Sequence, residues 1–236
     1  MATNNSINTP LPFEISKGGT GLETLTTPYG ILCAGTTSTG PVQNAGAGVA
    51  AQVLLSNGAS ALPTFQDIGI GGFAFIETAT ASTSATIEFN SLTGFKNYEI
   101  HITNLLPSTD NVRLAARVSE DNGSTWASAY EGSWLAAEGS SANADELTST
   151  TNMRLLENMS NVATEESFLI VTLHNPSGGI HVTLTTQATG MRAAGTMQCT
   201  TNTMQYNSSN TVNAIEFFME SGTIATGTFK LYGIGP

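Results

Sequence analysis

Two regimes of hydrophobic patterning divide the chain. From residue 73 onward, apolar and polar residues alternate in short runs punctuated by turn residues, the mark of half-buried strands. Residues 73–79 form the first run. Residues 86–89 put Ile87 and Phe89 on one face, and 98–103 alternate over six positions. Residues 112–118 set Val112, Leu114, Ala116 and Val118 against Arg113, Ala115 and Arg117. Residues 168–173 are nearly continuous in apolar side chains, the pattern of a central strand covered on both faces. Residues 180–184, 214–218 and 228–232 complete the set, with turns marked at 120–123, 175–179 and 220–222 by Asn, Ser, Gly and Pro. Eight or more strands without an intervening helix predict an antiparallel two-sheet sandwich, a jelly roll being the commonest form. Residues 132–165 break the pattern. They alternate little, and 153–159 reads as a short helical turn within a long excursion that either binds a ligand or covers a sheet edge.

Residues 11–68 behave differently. Small apolar pieces recur (Ile31-Leu32-Cys33, Val53-Leu54-Leu55, Leu62-Pro63-Thr64-Phe65), but no period closes a core. Such a stretch buries too little apolar surface to offset the entropy of ordering itself. It is expected to gain its shape against copies of itself or another protein. The cluster Gly69-Ile70-Gly71-Gly72 reads as a hinge between this extended, largely irregular segment, residues 1–70, and the sandwich, residues 73–236.

Composition sharpens the picture. Charged residues make up 11% of the 236, against about 25% in an average domain. Polarity comes instead from 35 Thr and 22 Ser, and β-branched Thr suits a pleated, half-exposed surface. The expectation is an all-β chain with neutral polar faces. Seven Lys and Arg against eighteen Asp and Glu leave a net charge of −11, and the few cations form no cluster. This argues against nucleic acid and against anionic lipid headgroups. The N-terminus has no basic and apolar leader and no stretch reaches membrane-spanning length, so synthesis in a cytoplasm, without membrane insertion, is expected. Cys33 and Cys199 lie 166 residues apart and outside CxxC spacing; a disulfide between them is the alternative, and two free buried thiols are the expectation.

The search for chemistry returns no constellation. His101 and His181 sit in alternating runs without HxH or HxxxH spacing, so both read as polar-face residues, and His174 before Asn175-Pro176 reads as serving the turn. Glu138, Asp145, Glu146, Glu157, Glu165 and Glu166 could in principle supply a glycosidase pair, but acidic residues of a loop are ordinarily only solvated. Residues 119–124 lack the spacing and distal Glu of a calcium loop and read as a tight turn. Gly18-Gly19-Thr20-Gly21 lacks the Lys-Ser/Thr of a phosphate loop. No catalytic, cofactor or metal site is expected, and the chain reads as a non-enzyme.

A resemblance adds to this. Ser16-Lys17-Gly18-Gly19-Thr20-Gly21, then Leu25-Thr26-Thr27-Pro28-Tyr29-Gly30-Ile31-Leu32, Gly35-Thr36-Thr37-Ser38-Thr39-Gly40, Gln52-Val53-Leu54-Leu55-Ser56-Asn57-Gly58 and Leu62-Pro63-Thr64-Phe65 resemble the repeat near the N-termini of tailed-bacteriophage fibre proteins. The remainder, through the turn at 118–126 and the ending at 227–234, is similar to the β-rich head that often follows. The resemblance implies a homotrimeric virion component, exposed on the particle. Without heptads or a long repeat array for a shaft, it implies a short fibre or spike. Its N-terminus would be anchored to other virion proteins of tail, baseplate or capsid, and its head would meet the host surface. Phe13, Ile15, Leu22, Tyr29, Ile31 and Leu32 are the expected attachment residues. Trp126, Tyr130 and Trp134 are the aromatics expected to stack on a host glycan, with core or trimer contact as the alternative for each. A capsid head-fibre or decoration protein is the competing reading, and a polysaccharide-degrading spike the third.

Overall fold

The computed structural model describes residues 28–34, 42–50, 52–67 and 72–235. The chain divides into two compact units, Met1–Gly69 and Ile70–Pro236. In the first, β1 (Leu32–Cys33) pairs antiparallel with β2 (Gln43–Asn44), and β3 (Gln52–Leu55) with β4 (Thr64–Asp67). Side-chain hydrogen bonds rather than packing tie the β3–β4 connection. Asn57 Nδ2 donates to the Leu62 carbonyl at 2.8 Å, and Gln66 Nε2 donates to Asn57 Oδ1 at 2.7 Å. Among the described residues of this unit no large apolar side chain is buried.

The second unit is a sandwich of twelve strands. They are β5 (Phe73–Ser84), β6 (Thr86–Asn90), β7 (Asn97–Pro107), β8 (Val112–Ser119), β9 (Tyr130–Glu138), β10 (Ser141–Thr150), β11 (Met153–Met159), β12 (Ser167–His174), β13 (Val182–Met191), β14 (Met197–Tyr206), β15 (Ala214–Met219) and β16 (Ile224–Ile234). The larger sheet runs β10-β9-β14-β13-β12-β7-β16-β5 and the smaller β11-β8-β15-β6, with every pairing antiparallel. Setting aside β9–β10 and β13–β14 leaves β5-β16-β7-β12 over β6-β15-β8-β11, the strand order of a jelly roll. The two inserted pairs join each other through β14 and β9 and widen the larger sheet beyond β12.

The core lies between the sheets. Phe217 stands between Phe89, at 6.4 Å between ring centroids, and Phe229, at 5.5 Å. Ile100, Ile102, Leu114 and Leu231 close around them, all buried. Alternation places Val112, Leu114, Ala116 and Val118 inward, as the sequence predicts. On the outer face of the smaller sheet, Arg117 Nε lies 2.6 Å from Glu216 Oε1 and its guanidinium 4.7 Å over the Phe218 ring. Burial pushes the Glu216 carboxyl up, outweighing the opposite pull of Arg117. Arg113 bridges Glu157 at 3.0 Å and Glu220 at 2.8 Å beside it.

Residues 132–165 are not a loop and contain no helical turn; they hold most of β9, all of β10 and β11. The helical appearance of 153–159 has a local cause. Register shifts between Arg154 and Leu156 and between Leu156 and Met159 move the buried positions to 153, 155, 156 and 159, which imitates a helical period. β10 is an edge strand exposed at nearly every position, so it carries no alternation to read.

β14 escapes the pattern for a different reason. Of its four buried inward positions, three, Gln198, Thr200 and Asn202, are polar, and only Met204 joins the apolar core. The three polar side chains face the edge of β11 away from β8, where no strand of the smaller sheet pairs with it and backbone meets it only near Met159. Gln198 Nε2 donates to the Glu157 carbonyl at 2.6 Å, Thr200 Oγ1 to Leu155 at 3.5 Å, and Asn202 Nδ2 to Arg154 at 3.0 Å and Leu155 at 2.8 Å. Asn202→Ala removes the side-chain donor to the Arg154 carbonyl and leaves Leu155 only its longer bond from Thr200, and is expected to cost about 1–3 kcal/mol in urea unfolding. Phe217→Ala, which opens a core cavity, is expected to cost about 3–5 kcal/mol in the same measurement.

Candidate functional site

The outward positions of β7, β12, β13 and β14 form the middle of the larger sheet's outer face. Register aligns them in rows: His101, Ile170, Gln187, Thr201 and then Leu135 of β9; beside these Phe168, Thr189, Cys199 and Ala137. Together the first eight of these side chains but for Leu135, with Thr103, border a trough of ≈ 540 Å³. The short side chains of Thr189, Cys199 and Thr201 leave the depression, and Phe168 and Ile170 stand beside it. A third row, Thr172, Thr185 and Thr203, continues the neutral polar surface.

Two features set this face apart from an ordinary solvated sheet. Phe168 and Ile170 are 46% and 42% exposed, so the continuous apolar run of β12 is covered on one side only. This corrects the expectation of a doubly covered strand. At the β16–β5 end, Phe73, Phe75, His101 and Tyr232 form an aromatic cluster, with Tyr232 5.0 Å from the His101 ring and 5.8 Å from that of Phe75. Phe75 is 60% exposed.

The residues expected to contact glycan lie elsewhere. Tyr130 is fully buried; it accepts from the Val118 N–H and donates to the Ala127 carbonyl, both at 3.0 Å, and burial pushes its hydroxyl up. Trp134 is on the inner face of β9 and belongs to the core. Neither offers a ring face to a sugar, which corrects that expectation. They are interior because residues 130–138 are a strand and both residues take its inward phase. Trp126 is half-buried beside Gly123 of the β8–β9 turn. Of the attachment residues, Phe13, Ile15 and Leu22 lie outside the described residues. Tyr29, Ile31 and Leu32 are exposed, Tyr29 to 97%.

The titratable groups are engaged individually. His101 Nε2 lies 2.6 Å from Glu99 Oε1 on the outer face. Cys199 is three strands from His101, about 14 Å, so the two do not form a thiol–imidazole pair. Both cysteines are free, and Cys199 is exposed rather than buried. His174 is the last residue of β12 rather than part of the turn; it contacts Thr185 Oγ1 at 3.0 Å, and burial pushes its imidazole down. His181 pairs with Gln205. Three of the acidic residues expected to be free in solvent have partners: Glu138 holds Arg192 at 3.1 Å, Glu157 holds Arg113 and Arg154, and Glu166 accepts from Asn104 at 2.8 Å. Among the described residues no three His, Cys, Asp or Glu side chains are placed to hold a metal ion.

Sequence reasoning missed this face because its outward residues on β13 and β14 are mostly Thr and Gln, which carry no chemical signal. The available clue was the unbroken apolar run at 168–173. No protein-family model matches the chain, and no curated protein or solved structure is similar enough to carry a comparison.

The turn at 119–125 saturates its carboxylate from within. Asp121 Oδ1 accepts from Ser119 Oγ at 2.7 Å and from the Thr125 N–H at 2.8 Å, and Oδ2 accepts from Thr125 Oγ1 at 2.7 Å. The Ser119 hydroxyl and then the two Thr125 donors hold its carboxyl well below the usual 3.8, at about 2. A depressed carboxyl stabilises the fold above its unfolded value and loses that contribution as pH falls through the folded one. A carboxyl-carbon NMR titration is expected to give a midpoint near 2 for Asp121, with order at 119–125 lost below it. A midpoint near the usual value contradicts this hydrogen bonding.

Proposed function

We propose that the chain is a structural, non-enzymatic virion protein of a tailed bacteriophage. In this reading it is a short homotrimeric fibre or spike on the particle surface, anchored through its N-terminal unit to tail, baseplate or capsid proteins and projecting the sandwich as a head. The observation that carries the reading is the character of the first unit. Its described residues pair in two-stranded pieces, which are marginal alone. They leave Tyr29, Ile31, Leu32, Val53, Leu54 and Leu55 exposed, with no buried apolar side chain among them. A chain keeps that much apolar surface outside where another surface covers it.

Attachment of the particle to a host glycan fits a trimer, because three weak sites act together. The interior positions of Tyr130 and Trp134 favour the second reading, a capsid head-fibre or decoration protein whose role is purely structural. Antibody labelling of particles separates the two: signal at the tail tip supports adhesion, and signal on the shell supports decoration.

Light scattering of the full-length protein is expected to give three times the 24.5 kDa chain mass. Deletion of residues 1–70 is expected to abolish incorporation into particles while the head retains its β-rich circular dichroism. A monomeric full-length protein, or a truncated one that still joins particles, overturns the proposal.

A further inference from the structure

We infer that the outer face of the eight-stranded sheet is a self-association surface, the β16–β5 end of one copy's face meeting the β9–β10 end of another's. The inference rests on the chain acting as an assembly, but not on how the N-terminal unit attaches.

Coverage is the first argument. A strand with an unbroken apolar run is ordinarily buried on both faces, yet the outward half of β12 is bare in the single chain. Of the nine large apolar side chains exposed in this unit, six lie on this face: Phe73, Phe75, Leu135, Phe168, Ile170 and Met197. They extend from one end of the sheet to the other rather than forming one ligand-sized spot, which favours a flat protein surface over a sugar platform.

Charge is the second. The molecule carries −11 overall, so copies repel unless they approach where charge is sparse. The three central strands β12, β13 and β14 contain no Asp, Glu, Lys or Arg at all. The two ends differ in charge. Lys230 lies outward at the β16–β5 end beside the His101–Glu99 pair, which leaves that end near neutral, whereas Glu131 and Glu146 lie outward at the β9–β10 end, where neither strand has a cation. Head-to-tail contact of unlike ends therefore sets Lys230 toward carboxylates, and a head-to-tail contact can close a ring.

Area is the third. Eight strands at about 4.8 Å spacing and seven residues at about 3.3 Å give a face of about 900 Å². Shared between two neighbours in a ring, it buries per copy about what one standard interface takes from each partner, about 800 Å².

Cys199, at the floor of the trough, is the reporter. In full-length protein carrying Cys33→Ser, kept reduced, its maleimide labelling is expected to be at least about tenfold slower than in the same protein carrying Ile170→Glu. Ile170 is outward and exposed, so that variant should keep its melting temperature. Lys230→Glu is expected to speed labelling, and adding Glu131→Lys and Glu146→Lys to it is expected to restore protection. If the protein has the trimer mass but Cys199 labels freely, the inference falls and the proposed function stands. A monomer overturns both. Protection that appears only on adding lipopolysaccharide assigns the face to a glycan and overturns the inference.

Discussion

A β-strand at a sheet edge exposes a row of carbonyls and amides that must be satisfied by something. β11 meets this constraint with side chains from the opposite sheet instead of a fifth strand. Gln198, Thr200 and Asn202, spaced two apart on β14, reach the carbonyls of Arg154, Leu155 and Glu157. The arrangement needs β14 to lie over the β11 edge. That position exists only because β13–β14 pairs with β12 on one side and β9–β10 on the other. The inserted strands and the jelly roll are thereby made interdependent, and the sandwich can be eight strands wide on one side and four on the other.

The same arrangement explains which parts of the fold were legible in the sequence. Strands of the jelly roll proper, such as 112–118 and 214–219, show their alternation because one face meets an apolar core and the other meets water or ion pairs. β14 does not, since three of its four buried inward side chains bind backbone and most of its outward ones are neutral and polar, so a period of two disappears. β11 misleads because register shifts move its apolar residues out of phase. Hydrophobic periodicity reads strands that are simply amphipathic; it fails where a side chain's task is to bond a neighbouring main chain.

The candidate face was harder still to read. Aromatic residues near a supposed loop suggest a sugar platform, but Tyr130 and Trp134 fill the interior, and the exposed rings of the sandwich are Phe73, Phe75 and Phe168. Tryptophan and tyrosine carry a polar handle that can be met inside a protein, as the Tyr130 hydroxyl is by Val118 and Ala127. Residue type alone thus does not place a ring on the surface; the phase of its strand does.

The abundance of threonine on the larger sheet bears on the energetics of docking. Lysine and glutamate give up much rotamer freedom when a surface is covered, whereas a threonine in a strand is already confined about χ1 by its branched Cβ. The ladder Thr172, Thr185 and Thr203 is thus stiff before anything approaches it. Whatever settles on this wall immobilises little that was moving, so even loose complementarity can leave a favourable balance.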